Sequence, residues 1–158
     1  MNAIVGTLEP SASSINGIDQ IHIWRSKFLD YSARIETRLR LLHNFRSPKS
    51  DNFLQFKSLA TTVKAENSSC LKLAETIDEL MPLIELRAEL AHSVVTLLNF
   101  NAQQTAVFVN ADNKSRFGRR ALMLAVDERE QALKKIKKMS ERLKRYQKAT
   151  MEGEVVAG

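Results

Sequence analysis

The sequence predicts a mainly α-helical bundle of four or five helices, with room for one small β-hairpin around residues 105–126. Three observations point there. Apolar residues recur at steps of three and four over long stretches, the period of one helix face. Gly (5) and Pro (3) are scarce in 158 residues, against the many turns an all-β chain needs. The single cysteine, Cys70, excludes a disulfide scaffold and a Cys-rich zinc module. With 44% apolar and 27% charged residues the composition is that of one globular domain, expected over residues 16–148.

Each element has its own signal. Residues 1–15 are Ser-rich and aperiodic and read as a mobile tail. Ile18, Ile21, Trp24, Phe28, Tyr31, Ile35, Leu39 and Leu42 then form one stripe of a long helix. The run Asn44–Ser50 breaks it, because Pro48 restricts the residue before it. Asp51 is the expected N-cap of a second helix through Phe53, Phe56, Ala60 and Val63. Glu66–Ser69 reads as a turn.

A third helical pattern begins near Leu71 and meets Pro82, which either kinks it or opens a new helix at its first turn. From Leu83 the pattern runs to about Leu98. The β-branched and aromatic run Thr105–Asn110, the turn-rich Asp112–Gly118 and the apolar Ala121–Val126 allow the hairpin. Asp127 followed by Glu130 resembles a capping box opening the last helix, whose stripe is Leu133, Ile136, Leu143 and Tyr146. Residues 149–158 read as a frayed tail.

No apolar run approaches the roughly 18 residues of a membrane span, and the first 15 residues lack a secretory pattern. The expectation is a soluble, cytoplasmic protein with no membrane partner. The net charge of +6 is unevenly placed. Residues 1–115 are neutral, with 12 basic and 12 acidic side chains, whereas residues 116–148 hold 12 basic and 4 acidic. Such a cluster attracts polyanions by counterion release, or serves as a solvated face that keeps the protein soluble.

Residues 83–98 repay a wheel at about 100° per residue. Leu83, Leu86, Leu90, Val94 and Leu97 form one stripe; Ile84, Ala88, Ala91 and Val95 form a second about a third of a turn away. A helix apolar on two sides is buried on two sides. That second side lies either inside the bundle or against a partner; in the second case Ile84, Ala88, Ala91 and Val95 are the expected dimer interface, the small alanines admitting a close neighbour. Arg87 falls between the stripes, and an arginine there is paired, lines a cleft or faces an anion. His92 lies at the edge of the second stripe and can exchange a proton near neutral pH. Arg87 and His92 diverge on one helix, so two copies about a two-fold axis would be needed to gather them.

The run Leu83–Ser93, LIELRAELAHS, resembles the R-x4-H motif of HEPN-domain proteins, small helical bundles that pair as dimers. The resemblance covers residues 18–148 in architecture and about ten residues in detail. It implies that Arg87 would hold a scissile phosphate through a bidentate contact. His92 would act as general base or acid in metal-independent RNA cleavage. Lys134, Lys135, Lys137, Lys138, Arg142, Lys144 and Arg145 would guide the RNA backbone. Toxin or defence roles, and a cognate protein partner, belong to the same family. Active members usually carry a polar residue directly after the arginine, where this chain has Ala88; inactive members serve as binding or antitoxin-like modules.

Other chemistry lacks its parts. Glu89-x-x-His92, with Glu85 one turn earlier, has the spacing used by di-iron bundles, but no second such motif accompanies it. No Walker A, Rossmann or G-x-S-x-G pattern occurs, so neither metal nor cofactor is expected. The leading expectation is an HEPN-like homodimer that binds RNA, with cleavage by Arg87 and His92 as an open extension. The alternative is a non-enzymatic interaction module that dimerises and contacts a polyanion or protein.

Overall fold

The computed structural model describes residues 17–100, 103–110 and 121–153. The first expected tail, the second half of the other (154–158) and the turn expected at residues 112–118 fall outside them. Among the described residues the chain forms a helical bundle with a small antiparallel sheet: α1 (Gly17–Arg46), α2 (Phe56–Glu66), α3 (Leu71–Ala91), β1 (Ser93–Phe100), β2 (Gln103–Asn110), β3 (Ala121–Leu124) and α4 (Val126–Met151).

The long α1 stripe folds as read. Ile21, Trp24, Phe28, Ile35, Leu39 and Leu42 are buried, with Tyr31 packed at their edge. Helix α4 is the main neighbour of α1 and meets it through Ile136, Met139 and Leu143. Trp24 Nε1 donates to the Arg129 carbonyl at 2.6 Å, and Arg38 donates to Gln147 at 2.9 Å, so the two helices run parallel. Helix α3 runs antiparallel to both α2 and α4. Lys57 pairs with Glu85 and Lys64 with Asp78 across the first contact, and Arg142 with Glu79 across the second.

The second helix starts later than expected. Its N-cap is Gln55, not Asp51, and Phe53 lies ahead of the helix with its ring 81% exposed. The cause is Arg40 of α1. Its guanidinium sits 4.3 Å over the Phe53 ring and donates to the Leu54 carbonyl at 3.0 Å, which ties residues 53–54 to α1 before helix geometry begins. Glu66 closes α2 against the end of α1, accepting from Ser47 Oγ and lying 2.7 Å from His43 Nδ1. Pro82 lies on the exposed side inside one continuous helix, α3, where it leaves the Asp78 carbonyl without an intrahelical N–H.

The largest correction concerns residues 83–98. Helix α3 stops at Ala91, His92 is its C-cap with φ −113° and ψ 10°, and Ser93–Phe100 is a strand. Val94, Val95 and Thr96 are three consecutive β-branched residues, which favour extended backbone. Arg25 of α1 fixes the exit by donating to the Ser93 carbonyl at 2.9 Å. The hairpin expected within 105–126 is present as β2 and β3, and β1 adds a third strand in the order β1-β2-β3.

Register sorts the sheet into two faces. Val95 pairs with Phe108, Leu97 with Ala106, and Phe108 with Leu122, and this row packs on the helical core. Trp24 links the two parts, its ring centroid 5.6 Å from Phe28 and 6.0 Å from Phe108. The alternate row, including Val94, Thr96, Leu98, Val107, Val109 and Met123, faces away from the bundle.

The last helix starts with half a capping box, two residues earlier than read. Glu128 accepts the Ala125 N–H at 2.8 Å, while Ala125 has no oxygen to return the bond. The helix continues to Met151, so the first residues of the expected frayed end are helical. No described helix is long and apolar enough to cross a membrane.

Candidate nucleic-acid interface

The apolar stripe of α4 faces the bundle and leaves the rest of its surface to charge. Lys134, Lys135, Lys137, Lys138, Lys144 and Arg145 are all exposed. None of the six has a hydrogen-bond or ion partner among the described residues. On a helical wheel Lys134, Lys138 and Arg145 fall within about 40° of one another, with Lys137 and Lys144 on the adjoining flank. Lys134 and Arg145 are separated by about 16 Å along the axis. Glu141 is the one acid inside this stretch; Asp127, Glu128 and Glu130 lie before it and Glu152 after it. Acids at the N-terminal turn complement the helix dipole.

Arg142 differs from the other six. It is partly buried, and its Nη1 lies 3.2 Å from Glu79 Oε1 on α3. It ties α4 to α3 and, unlike the other six, has an acid as partner.

The structure spreads the residues expected at a dimer interface over different surroundings. Ile84 is 6% exposed and belongs to the core. Val95 lies on β1, on the sheet row that packs against the bundle. Ala88 and Ala91 remain exposed on the last turns of α3. The four residues therefore form no common stripe, because the helix that would align them ends before Val95.

Arg87 is half-buried on α3 and His92 is exposed at its C-cap. Neither has a partner among the described residues. The helix ends between them, so their relative direction is set by the cap and not by the helical wheel. Two more basic side chains, from α1, stand beside the cap. Arg25 holds the Ser93 carbonyl and lies 3.2 Å from His22 Nδ1. Sequence reading missed this pair because His22 and Arg25 sit some 70 residues upstream, and only the docking of α1 on β1 brings them to the residue after His92. Trp24 and Arg129 join at the same end, so the cap and the N-terminal half of α4 share one end of the bundle.

Glu85 and Glu89 are engaged elsewhere: Lys57 lies 2.9 Å from Glu85, and Asn110 Nδ2 donates to Glu89 at 3.3 Å. Among the described residues no cluster of His, Cys, Asp and Glu has metal-holding geometry.

Arg129 is a second residue that periodicity did not reveal as special. It is buried at the start of α4 and donates to the Leu124 carbonyl at 2.8 Å while its own carbonyl accepts from Trp24. Desolvation pulls its guanidinium below the ordinary value, with neighbouring Glu130 opposing the shift. It joins α1, β3 and α4 at one point. Comparison with known proteins returns no matching family model, and no significant match among curated proteins or solved structures.

Proposed function

We propose that the chain is an RNA-binding helical module whose α4 lies along the phosphate backbone. The observation behind this reading is the group of six exposed basic side chains on α4, none within ion-pair distance of an acid of the described fold, with Glu141 as the one acid on the face shared by Lys134, Lys138 and Arg145. A buried or ion-paired lysine contributes little to polyanion binding, whereas an unpaired exposed one releases a counterion on contact. The resemblance of LIELRAELAHS to the R-x4-H motif supports RNA over other polyanions.

The test is binding of a fluorescent single-stranded RNA by wild type and by the triple variant Lys134→Glu, Lys138→Glu, Arg145→Glu. Wild type should bind at low salt, and the variant should lose the binding while keeping its helical circular dichroism. Equal binding by both would refute the reading.

Cleavage is a second reading, supported by one specific observation: Arg87 and His92 are both unpartnered and at least partly solvent-reachable. Arg87 would hold the phosphate and His92 would move the proton. RNA cleavage in EDTA by wild type, lost in both Arg87→Ala and His92→Ala with folding intact, would establish it. Intact RNA across several substrates would leave the binding module.

A further inference from the structure

We propose that the chain forms a homodimer by antiparallel pairing of β1 with β1 of a second copy, the two-fold axis passing through Thr96. This inference does not rest on the RNA reading.

Strand β1 is an edge: the sheet order is β1-β2-β3, and no described strand lies beyond β1. Proteins blunt long edges with charge, proline, bulges or short length. Strand β1, SVVTLLNF, has eight residues, no charge and no proline, and pairs with β2 in unbroken register. None of its residues from Ser93 to Asn99 is buried, and Val94 is 71% exposed. An uncharged and regular edge of this length, with no described strand beyond it and its Ser93 carbonyl engaged by Arg25 at one end, templates another strand.

The sequence of β1 selects its own copy. In an antiparallel pair, facing residues lie on the same side of the sheet. Centring the axis on Thr96 sets Thr96 against the second copy's Thr96, Val94 against its Leu98, and Val95 against its Leu97. Apolar meets apolar on both faces, and the hydroxyl-bearing threonines meet each other. The alternation is preserved, so each copy keeps its Val95–Leu97 row on its own bundle. An uncharged strand offers nothing to a phosphate, which separates this surface from α4.

Size also fits. Eight residues extend about 26 Å. Strand addition of that length buries on the order of 500 Å² per partner, the size of a weak, reversible dimer. The product is a six-stranded sheet with one helical bundle at each end. His92 of one copy then falls opposite Phe100 of the other, so the two histidines stand about 26 Å apart. This dimer therefore does not gather the Arg87 and His92 of two copies into a composite site at the axis.

A charge-swap experiment tests both the surface and the register. Thr96 is exposed, so Thr96→Lys and Thr96→Glu leave the monomer fold intact, which circular dichroism checks. Sedimentation equilibrium should show a dimer for wild type and for the control Thr61→Lys on α2. Each position-96 variant alone should dissociate on the order of a hundredfold more readily, because like charges face each other across the axis. An equimolar mixture of the two variants should regain the dimer as a heterodimer. A monomeric wild type at 100 μM overturns the proposal. So does a wild-type dimer that survives Thr96→Lys, or a mixture that stays monomeric.

Discussion

Strand β1 and helix α4 border the same core and leave opposite surfaces unfinished. Each turns one apolar row inward: Val95 and Leu97 from β1, Ile136, Met139 and Leu143 from α4. Outward, β1 shows Val94, Thr96 and Leu98 with no charge, whereas α4 shows lysines and arginine with no partner. Among the described residues no strand lies beyond β1, whose Ser93 carbonyl alone accepts from Arg25, and none of the six free cations of α4 has an ion-pair partner. The two proposals accordingly give them different occupants, a second strand for the first and a polyanion for the second.

The strongest way to break this comparison is to undock the sheet. Phe108 is buried and touches Trp24 through its ring. Phe108→Ala should cost about 3–5 kcal/mol of stability, read as a shifted urea midpoint. It should also disturb β1 pairing while leaving the lysines of α4 in place. A loss under 1 kcal/mol would mean that the sheet is not anchored by this contact.

A smaller cut separates the two regions at their shared joint. Trp24→Phe keeps one aromatic ring but loses the indole N–H bonded to the Arg129 carbonyl and leaves a small void beside Phe28 and Phe108, so it should cost about 2–3 kcal/mol in the same urea assay. A neutral result would show that solvent satisfies the Arg129 carbonyl.

Arg142 sharpens the account of α4 from within. Its tie to Glu79 is partly exposed and worth about 0.5 kcal/mol or less. Arg142→Ala should leave RNA affinity within about twofold of wild type, whereas Lys138→Ala should weaken it severalfold at low salt. Equal losses from both would place Arg142 among the phosphate contacts.

The smallest effect is a titration. Tyr146 sits between α4 and α3, and burial, aided by the Cys70 thiol, pushes its phenol above the ordinary value of about 10. The unfolded chain releases this proton first, so over that window the unfolded state binds fewer protons. The contribution to stability is complete below pH 10 and falls as pH rises through the folded value. Ultraviolet titration of a Tyr31→Phe variant, which leaves Tyr146 as the one tyrosine, should show a midpoint above that of the urea-unfolded chain. A coincident midpoint would contradict the burial.

The same two regions explain what was legible in the sequence. Helix α4 could be read because its apolar period and its charge run agree over 26 residues. Helix α1 was legible for the same reason of length. Strand β1 was misread because Val94 and Leu97 happen to continue the three-and-four spacing of Leu83, Leu86 and Leu90. Short apolar runs satisfy both periods. The overlooked signal was the β-branched triplet Val94, Val95 and Thr96 directly after the helix. The candidate site was only partly legible. Arg87, His92 and the lysines are visible in the sequence, but the engagement of Arg142 by Glu79 and the approach of His22 and Arg25 depend on docking between distant segments.

The central claim is that free cations on α4 bind RNA while the fold and its pairing edge stand apart from that contact. The most direct test measures RNA affinity against salt for wild type and for Lys134→Ala, Lys138→Ala, Arg145→Ala combined. The five cations on the shared face and its flank predict a slope of log K against log salt of about −3.5, falling to about −1.5 in the variant. Sedimentation of the two proteins should be the same. A shallow wild-type slope, or a steep one that the variant preserves, would contradict the assignment of α4 as the RNA-binding face.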